Sequence, residues 1–322
     1  MGRHDFRLSR RRRQELRICS PTSEALDEAV ALILSGGLVV MPTETVYGLA
    51  CLATDPEAVE KVFAAKGRPP ESPLIVHVSG IEQARQVAEL DERAVSLILE
   101  FWPGPLTLVL PKTPGIPSRV TAGLPTVAVR MPSHPVAQEL ISRAGPLAAP
   151  SANRFSRLSP TRAEDVDPDL GDFLVLDGGP CDIGLESTVL DLTGAPRVLR
   201  PGQVSAADLE AVLEQPVSVR AMAVDPGESH SSPGLHLRHY SPRTPVRLVP
   251  KLGTTDAGLT FAPAQNDSQV QMPRNPSLYA AQLYAVLADL DRRDLTQILI
   301  EEPPRDPEWA AIWDRLQRAA HR

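Results

Sequence analysis

Within one stretch, Leu38 to Cys51 (LVVMPTETVYGLAC), an apolar run stops at Pro42 and Thr43, Glu44, Thr45 and Tyr47 follow in quick succession. With hydroxyl, carboxylate, hydroxyl and phenol this close together, several short side chains can be aimed into one crevice. Cations recur further along. Lys66 and Arg68 flank the glycine of a sharp turn, and Arg130 stands inside the apolar run TVAVR, where its planar fork needs a carboxylate or a phosphate. His77 sits in another apolar run, PLIVHV, and must satisfy two ring nitrogens. A hydroxyl and an amide return in Pro150-Ser151-Ala152-Asn153. Cations, hydroxyls and a histidine suit an anionic ligand. Each group also has a purely structural reading: basic residues favour helix C-termini, a core histidine can bond to backbone, and a buried arginine can form a structural ion pair.

The usual ways of holding phosphate or activating water are missing. The chain has no GxxxxGK followed by Ser or Thr, no GxGxxG, no HExxH and no GxSxG, so a P-loop, a dinucleotide fold, a zincin and a serine hydrolase are unsupported. A nucleotide would have to be held differently.

The elements that position these groups alternate between strand and helix. Apolar spacing predicts a helix over residues 23–35 with Ser23 as its cap, then a buried strand from Leu38 that ends at Pro42. Asp55 and Pro56 open a second helix with Val59, Val62 and Phe63 on its apolar face; Gly67 closes it as a left-handed cap, and Arg68-Pro69-Pro70 cannot continue it. A strand at 73–78, helical spacing at 81–90 and 94–101, and strands at 106–110 and 126–130 follow. Alternation puts Val127 and Val129 on one face and Ala128 and Arg130 on the other. A helix over 135–143 and strands at 147–149, 173–176, 187–192 and 197–199 complete an α/β or mixed-sheet domain to about Glu214, with polar groups gathered at strand ends. Residues 215–242 read as a linker whose His236, Arg238, His239 and Tyr240 can fold over a pocket. From Val246 a smaller unit of strands (246–249, 258–261, 297–300) and helices (277–290, 308–320) begins.

Composition narrows the class. A chain of 322 residues fits one large and one small domain, and 42% hydrophobic with 23% charged residues is ordinary for a soluble globular protein. A net charge of −7 argues against broad nonspecific nucleic-acid binding and leaves room for a local basic patch. Cys19, Cys51 and Cys181 are odd in number and far apart, which supports neither a disulfide framework nor a zinc site and predicts a reducing, cytoplasmic setting. Arg3, Arg7, Arg10, Arg11, Arg12, Arg13 and Arg17 make a basic N-terminal segment that is no secretory signal; a disordered tail is expected, with an organellar presequence or an RNA-touching arm as alternatives. No run approaches the ~18 apolar residues of a membrane span.

Taken in order, PTETVYGLA, KGRPPESPLIVH, FWPGPLTLVL, TVAVRMP, APSAN, SPT, GLESTVLDL, LRPG and SPGLHLRHYSP resemble the threonylcarbamoyl-adenylate synthase family in its long two-domain form, motif by motif over about residues 25–242. The resemblance implies a fold of class α/β: a twisted open mixed sheet with a concave cationic cavity, then a small Rossmann-like domain. It implies a basic tail over 1–20, a catalytic domain over 21–214, a linker touching the active site over 215–244 and the small domain over 245–322. The implied reaction joins L-threonine, bicarbonate or CO2, and ATP into threonylcarbamoyl-adenylate and pyrophosphate, with Mg2+, for modification of tRNA beside the anticodon. Downstream threonylcarbamoyl transferase proteins would be partners, tRNA only an indirect one, and no membrane is involved. By position, Thr45, His77, Arg130, Ala149 (through backbone) and Ser187 would hold threonine. Arg68, Ser72, Thr126, Ser151, Asn153, Ser159, Arg200 and Tyr240 would hold ATP, with Lys66 and Arg68 carrying the catalytic charge. The alternative is a non-catalytic RNA-binding module using the same cavity.

Overall fold

The computed structural model describes residues 16–219 and 239–321. Its framework begins with a hairpin. Val39–Met41, all buried, runs antiparallel to Gly48–Leu52 in the register Val39↔Ala50 and Met41↔Gly48, so residues 42–47 form the connection. The second strand has little β-branched character and is hard to foresee from sequence. Its small residues permit close approach: a Cβ on Gly48 would lie 3.2 Å from Ala149 Cβ.

The helix Pro56–Lys66 starts and stops as its sequence dictates. The Asp55 carboxylate accepts from the amides of Glu57 and Ala58, and Gly67 closes the helix at φ 59°. Lys66 and Arg68 are thereby fixed at either side of a turn. The first helix, Ser23–Leu34, is capped by Thr22 rather than the expected Ser23, because Thr22 Oγ1 accepts from Ala25 N.

Among the described residues the large sheet has eleven strands. Across it the order is Arg17–Cys19, Leu174–Leu176, Val39–Met41, Gly48–Leu52, Leu147–Ala148, Ile75–His77, Thr126–Arg130, Leu106–Pro111, Thr188–Asp191, Arg197–Arg200 and Ser218–Val219. Parallel and antiparallel neighbours are mixed. The sheet thus reaches into both segments read from sequence as tail and linker: Arg17–Cys19 pairs with Leu174–Leu176, and Ser218–Val219 pairs with Arg197–Val198. The other expected tail residues before position 16, and His236 and Arg238 of the linker, lie outside the described residues.

Strand alternation divides the central sheet into two faces. Val76, Val78, Val127, Val129, Leu108 and Leu110 join Val59, Val62, Phe63, Ala84 and Leu97 in the main core under the helices. Ile75, Val109, Ala128, Val189 and Leu199 make a small cluster of their own on the opposite face. That face continues into His77 and Arg130, which are paired in register.

The second sheet is wholly parallel, in the order Val246–Val249, Ile298–Glu301, Gly258–Thr260, Gln269–Gln271, with the helices Pro276–Asp291 and Ala310–Ala320 beside it. Its core takes in Val46, Leu185 and Tyr240 from the preceding chain. Two further links join the units: Arg162 pairs with Asp289 and Arg292 with Asp165, each at 2.8 Å. Gly184, at φ 72°, lies so close to the helix Pro276–Asp291 that a Cβ there would fall 2.6 Å from Ala281 Cα.

Candidate active site

The hairpin connection is stapled by its own hydroxyls. Thr43 Oγ1 donates to Val46 O at 2.7 Å and receives the amides of Thr45 and Val46. With that proton committed, the 2.9 Å contact between Thr43 and Thr45 must be donated by Thr45. Arg130 Nη1 donates to Thr45 Oγ1 at 2.8 Å. Thr45 therefore faces the cavity as an acceptor with one lone pair left.

The same connection sends Glu44 and Tyr47 away from the ligand space, so of its four polar side chains Thr43 and Thr45 line the cavity. Glu44 is buried against Arg130, with Oε1 2.7 Å from Nη2 but off the direction of a hydrogen bond, so the pair is held by charge. Tyr47 OH donates to Gly179 O and accepts from Gly178 N, fixing that turn; burial raises its pKa, so it stays a neutral phenol.

His77 lies beside Arg130 and is 4% exposed. Burial, then the positive charge of Arg130, lowers its pKa to about 3, so the imidazole is neutral at any physiological pH. Its Nδ1 is buried without a hydrogen-bond partner among the described residues.

Lys66 and Arg68 point to different places. The Lys66 ammonium is held by the main-chain carbonyls of Ser151 and Asn153, and burial, with Arg68 nearby, pulls its pKa well below the ordinary lysine value. Asn153 turns its amide nitrogen to the carbonyls of Arg154 and Arg157. Both residues shape the loop after the strand Leu147–Ala148 and do not line the cavity. Arg68 does line it, anchored by donation to the carbonyls of Ser72 and Pro73 at 3.1 and 2.9 Å, and burial lowers its pKa to about 10.

On the far wall, Ser187 Oγ meets Thr107 Oγ1 at 2.7 Å, and Arg200 donates to both the carbonyl and the hydroxyl of Ser187. Ser159 stands behind this wall and donates to Glu186 Oε1 at 2.6 Å. His239 and Tyr240 close over the space with rings 4.1 Å apart.

Of the residues singled out from sequence, Thr45, His77, Arg130, Ala149, Ser187, Arg68, Ser151, Arg200 and Tyr240 line one cavity. Lys66, Ser72, Asn153 and Ser159 are buried around it, and Thr126 is half-buried at the opposite end of the strand Thr126–Arg130 from Arg130. The cavity opens along the sheet face, since Ile75 and Ala149 line it as well as His77 and Arg130, so it is not confined to strand ends. Among the described residues, three guanidinium groups, from Arg68, Arg130 and Arg200, and one carboxylate, Glu186, line the cavity. Sequence reasoning passed over Glu186 inside GLESTV because its partners lie about a hundred residues away, in Tyr284 and Arg315.

Two family models match the chain. One, described as telomere recombination, matches residues 31–202; the other, described as threonylcarbamoyl-AMP synthase, C-terminal domain, matches residues 204–321. The threonylcarbamoyl-AMP synthase of Bacillus subtilis is 39% identical, covering 94% of this chain and 94% of its own length. That of Pyrococcus abyssi is 38% identical, covering 91% and 93%. The crystal structure of P. abyssi Sua5 complexed with L-threonine has a TM-score of 0.87 at 35% identity, covering 95% of this chain and 97% of that one.

Proposed function

We propose, from the premise that this chain belongs to the threonylcarbamoyl-AMP synthase family in its long two-domain form, how its cavity carries out that synthesis. The activity is that of a nucleotidyltransferase: threonine, bicarbonate and ATP become threonylcarbamoyl-adenylate, pyrophosphate and water, and the adenylate feeds tRNA threonylcarbamoyladenosine. The observation that carries the residue assignment is the convergence of Thr45, His77, Arg130, Ala149 and Ser187 with Arg68, Ser151 and Arg200 on one cavity. No specific observation favours the RNA-binding alternative.

The chemistry needs alignment and charge compensation more than a strong base. Bicarbonate takes up a proton and loses water to give CO2, and the threonine amine adds to that CO2, forming a carbamate and releasing one proton. A carbamate oxygen then bonds to the α-phosphorus as the bond to the β-phosphate oxygen breaks. Two anions must therefore meet, and the barrier is lowered by fixed cations and by holding the reactants together. Arg130 clamps the threonine carboxylate. Thr45 accepts from the substrate, and neutral His77 offers a hydrogen-bonding nitrogen without adding charge. Arg68 and Arg200 face the phosphates. Lys66 acts through the carbonyls of Ser151 and Asn153, fixing the loop that presents Ser151 to nucleotide. Among the described residues no group of three or more His, Cys, Asp or Glu could hold a metal ion, so magnesium would arrive with the nucleotide and would supply further charge compensation to the phosphates beside Arg68 and Arg200. Bicarbonate as the carbon source, a downstream transferase and a cytoplasmic setting complete the reading; no helix among the described residues is long and apolar enough to cross a membrane.

The test is pyrophosphate release with ATP, magnesium and bicarbonate, with and without L-threonine, using serine and valine as comparisons. Release that requires threonine and bicarbonate supports the reading. Release at background with all substrates present would remove it.

A further inference from the structure

The carboxylate of Glu186 poses an electrostatic problem. It is 7% exposed and lines a cavity meant for a polyanion. Its compensation comes from the other domain. Arg315, 1% exposed, donates from Nε to Glu186 Oε2 at 2.8 Å and from Nη2 to the Glu186 carbonyl at 3.3 Å, so one guanidinium grips both side chain and main chain. Tyr284 donates to the same Oε2 at 3.1 Å. Arg315 also donates to Pro201 O, next to Arg200, and lies 5.1 Å from the ring centroid of Tyr240. It thus touches the Glu186–Ser187 wall, the residue after Arg200 and the aromatic roof. Tyr240 holds a left-handed backbone, φ 58°, which a bulky residue adopts only when its surroundings impose it.

The cluster continues into the C-terminal helix, and among the described residues its charges balance. Asp314 takes a second nitrogen of Arg315 at 2.7 Å and pairs with Arg318 at 2.9 Å, so two carboxylates and two guanidinium groups balance.

We propose that Arg315 of the C-terminal domain is a positioning residue for the synthesis: by gripping Glu186 it fixes Ser187 in the cavity wall and Ser159 behind it, and cancels the one carboxylate that, among the described residues, lines the cavity and would repel a nucleoside triphosphate. This rests on the reading that ATP occupies this cavity. It makes the small domain part of the active-site architecture, and it explains why a residue 129 positions away in sequence is buried at Glu186.

The experiment measures ATP binding by calorimetry between about pH 6 and pH 8, with Arg315→Met, Glu186→Gln/Arg315→Met and Arg292→Met. In Arg315→Met, Glu186 keeps, among the described residues, Arg200 as its facing cation, with Ser159 and Tyr284 as donors and Asp314 and Tyr240 just beyond. ATP binding is expected to weaken about tenfold or more at the higher pH, the effect of one uncompensated charge in a partly solvated cavity, and to recover on acidification as Glu186 takes up a proton. The double variant removes both charges and is expected to bind ATP within a few fold of the parent at every pH, because replacing a whole buried pair is far milder than removing one partner. Arg292→Met breaks a domain link remote from the cavity and should leave ATP affinity unchanged. A role confined to docking the domains predicts no pH-dependent recovery and no rescue, and either result overturns the inference. If Arg315→Met does not fold, the double variant decides alone: a loss of about tenfold or more in ATP affinity overturns it. Pyrophosphate release by the parent protein, run alongside, tells the two readings apart. An inactive parent removes both, whereas an active parent with unchanged Arg315→Met removes only this one.

Discussion

Arg130 Nη2 and Glu44 Oε1 stand 2.7 Å apart, both nearly excluded from water, while Nη1 of the same guanidinium donates to Thr45 Oγ1. The arginine is therefore held from two sides, by a charge behind it and by a hydroxyl in front of it, before any substrate arrives. A fork fixed in this way loses little freedom when it takes a carboxylate.

Arg130→Met would leave the Glu44 carboxylate buried without its counter-charge. Chemical denaturation should show a loss of about 3–5 kcal/mol. Arg130→Lys keeps the charge and loses the planar fork, so it should cost less stability and still weaken L-threonine binding about tenfold by calorimetry. Unchanged threonine affinity in the lysine variant would remove Arg130 from the substrate clamp.

Thr45→Val removes an acceptor for Arg130 and a donor to Thr43. Threonine binding is expected to weaken by about 1–3 kcal/mol. The ratio of pyrophosphate release with threonine to that with valine should also fall, because a site built around a hydroxyl rejects a substrate lacking one only while its own polar groups would be left unpaired. A preserved ratio would mean that another residue reads the substrate hydroxyl.

His77 sets a pH signature in stability. Its folded pKa, about 3, lies below that of an unfolded histidine, so between the two values the unfolded chain binds more protons and stability falls as pH drops. The loss begins near an unfolded pKa of about 6.5 and amounts to about 2 kcal/mol by pH 5. Denaturation of the parent and of His77→Gln at pH 7 and about pH 5 measures it, and the variant should lose the part of the slope due to this residue. Equal slopes would show that His77 titrates normally in the fold.

Gly202→Ala probes how tightly the far wall is built. A Cβ there would fall inside contact distance of Thr188 N and 2.7 Å from the carbonyl carbon of Ser187, both main-chain atoms. The wall must shift, so pyrophosphate release should drop along with about 1–3 kcal/mol of stability. A fully active, equally stable variant would mean that Ser187 tolerates displacement.

Gly184→Ala tests the domain contact separately. Its Cβ would meet the main chain of Ala280 and Ala281, and the left-handed φ adds strain. Susceptibility to protease should rise across the domain boundary, and activity should fall with it if the small domain braces the cavity; activity retained in an opened protein would argue that the domains work apart.

Local sequence signals are read within a few residues, and that sets what they can carry. Asp55, Pro56 and Gly67 specify a helix by caps that act on neighbouring amides and carbonyls, and alternation in TVAVR places Arg130 opposite Val129 whatever surrounds it. The spaced motifs from PTETVYGLA to SPGLHLRHYSP named the family and nine of the residues that line one cavity. Other features depend on partners distant in the chain. The strand Gly48–Leu52 exists because small residues fit against Val39–Met41 and Ala149, and Arg17–Cys19 becomes a strand only beside Leu174–Leu176. Whether Glu44 and Tyr47 face ligand or framework was decided by Arg130 and by the turn at Gly178-Gly179. Whether Lys66 meets phosphate or carbonyl was decided by the path of residues 151–153. The sequence by itself determined the chemistry available, because residue types and local caps are intrinsic to the chain. Only the tertiary structure decided which groups are free to act, because burial and charge pairing, as between Glu186 and Arg315, arise from contacts that no local pattern encodes.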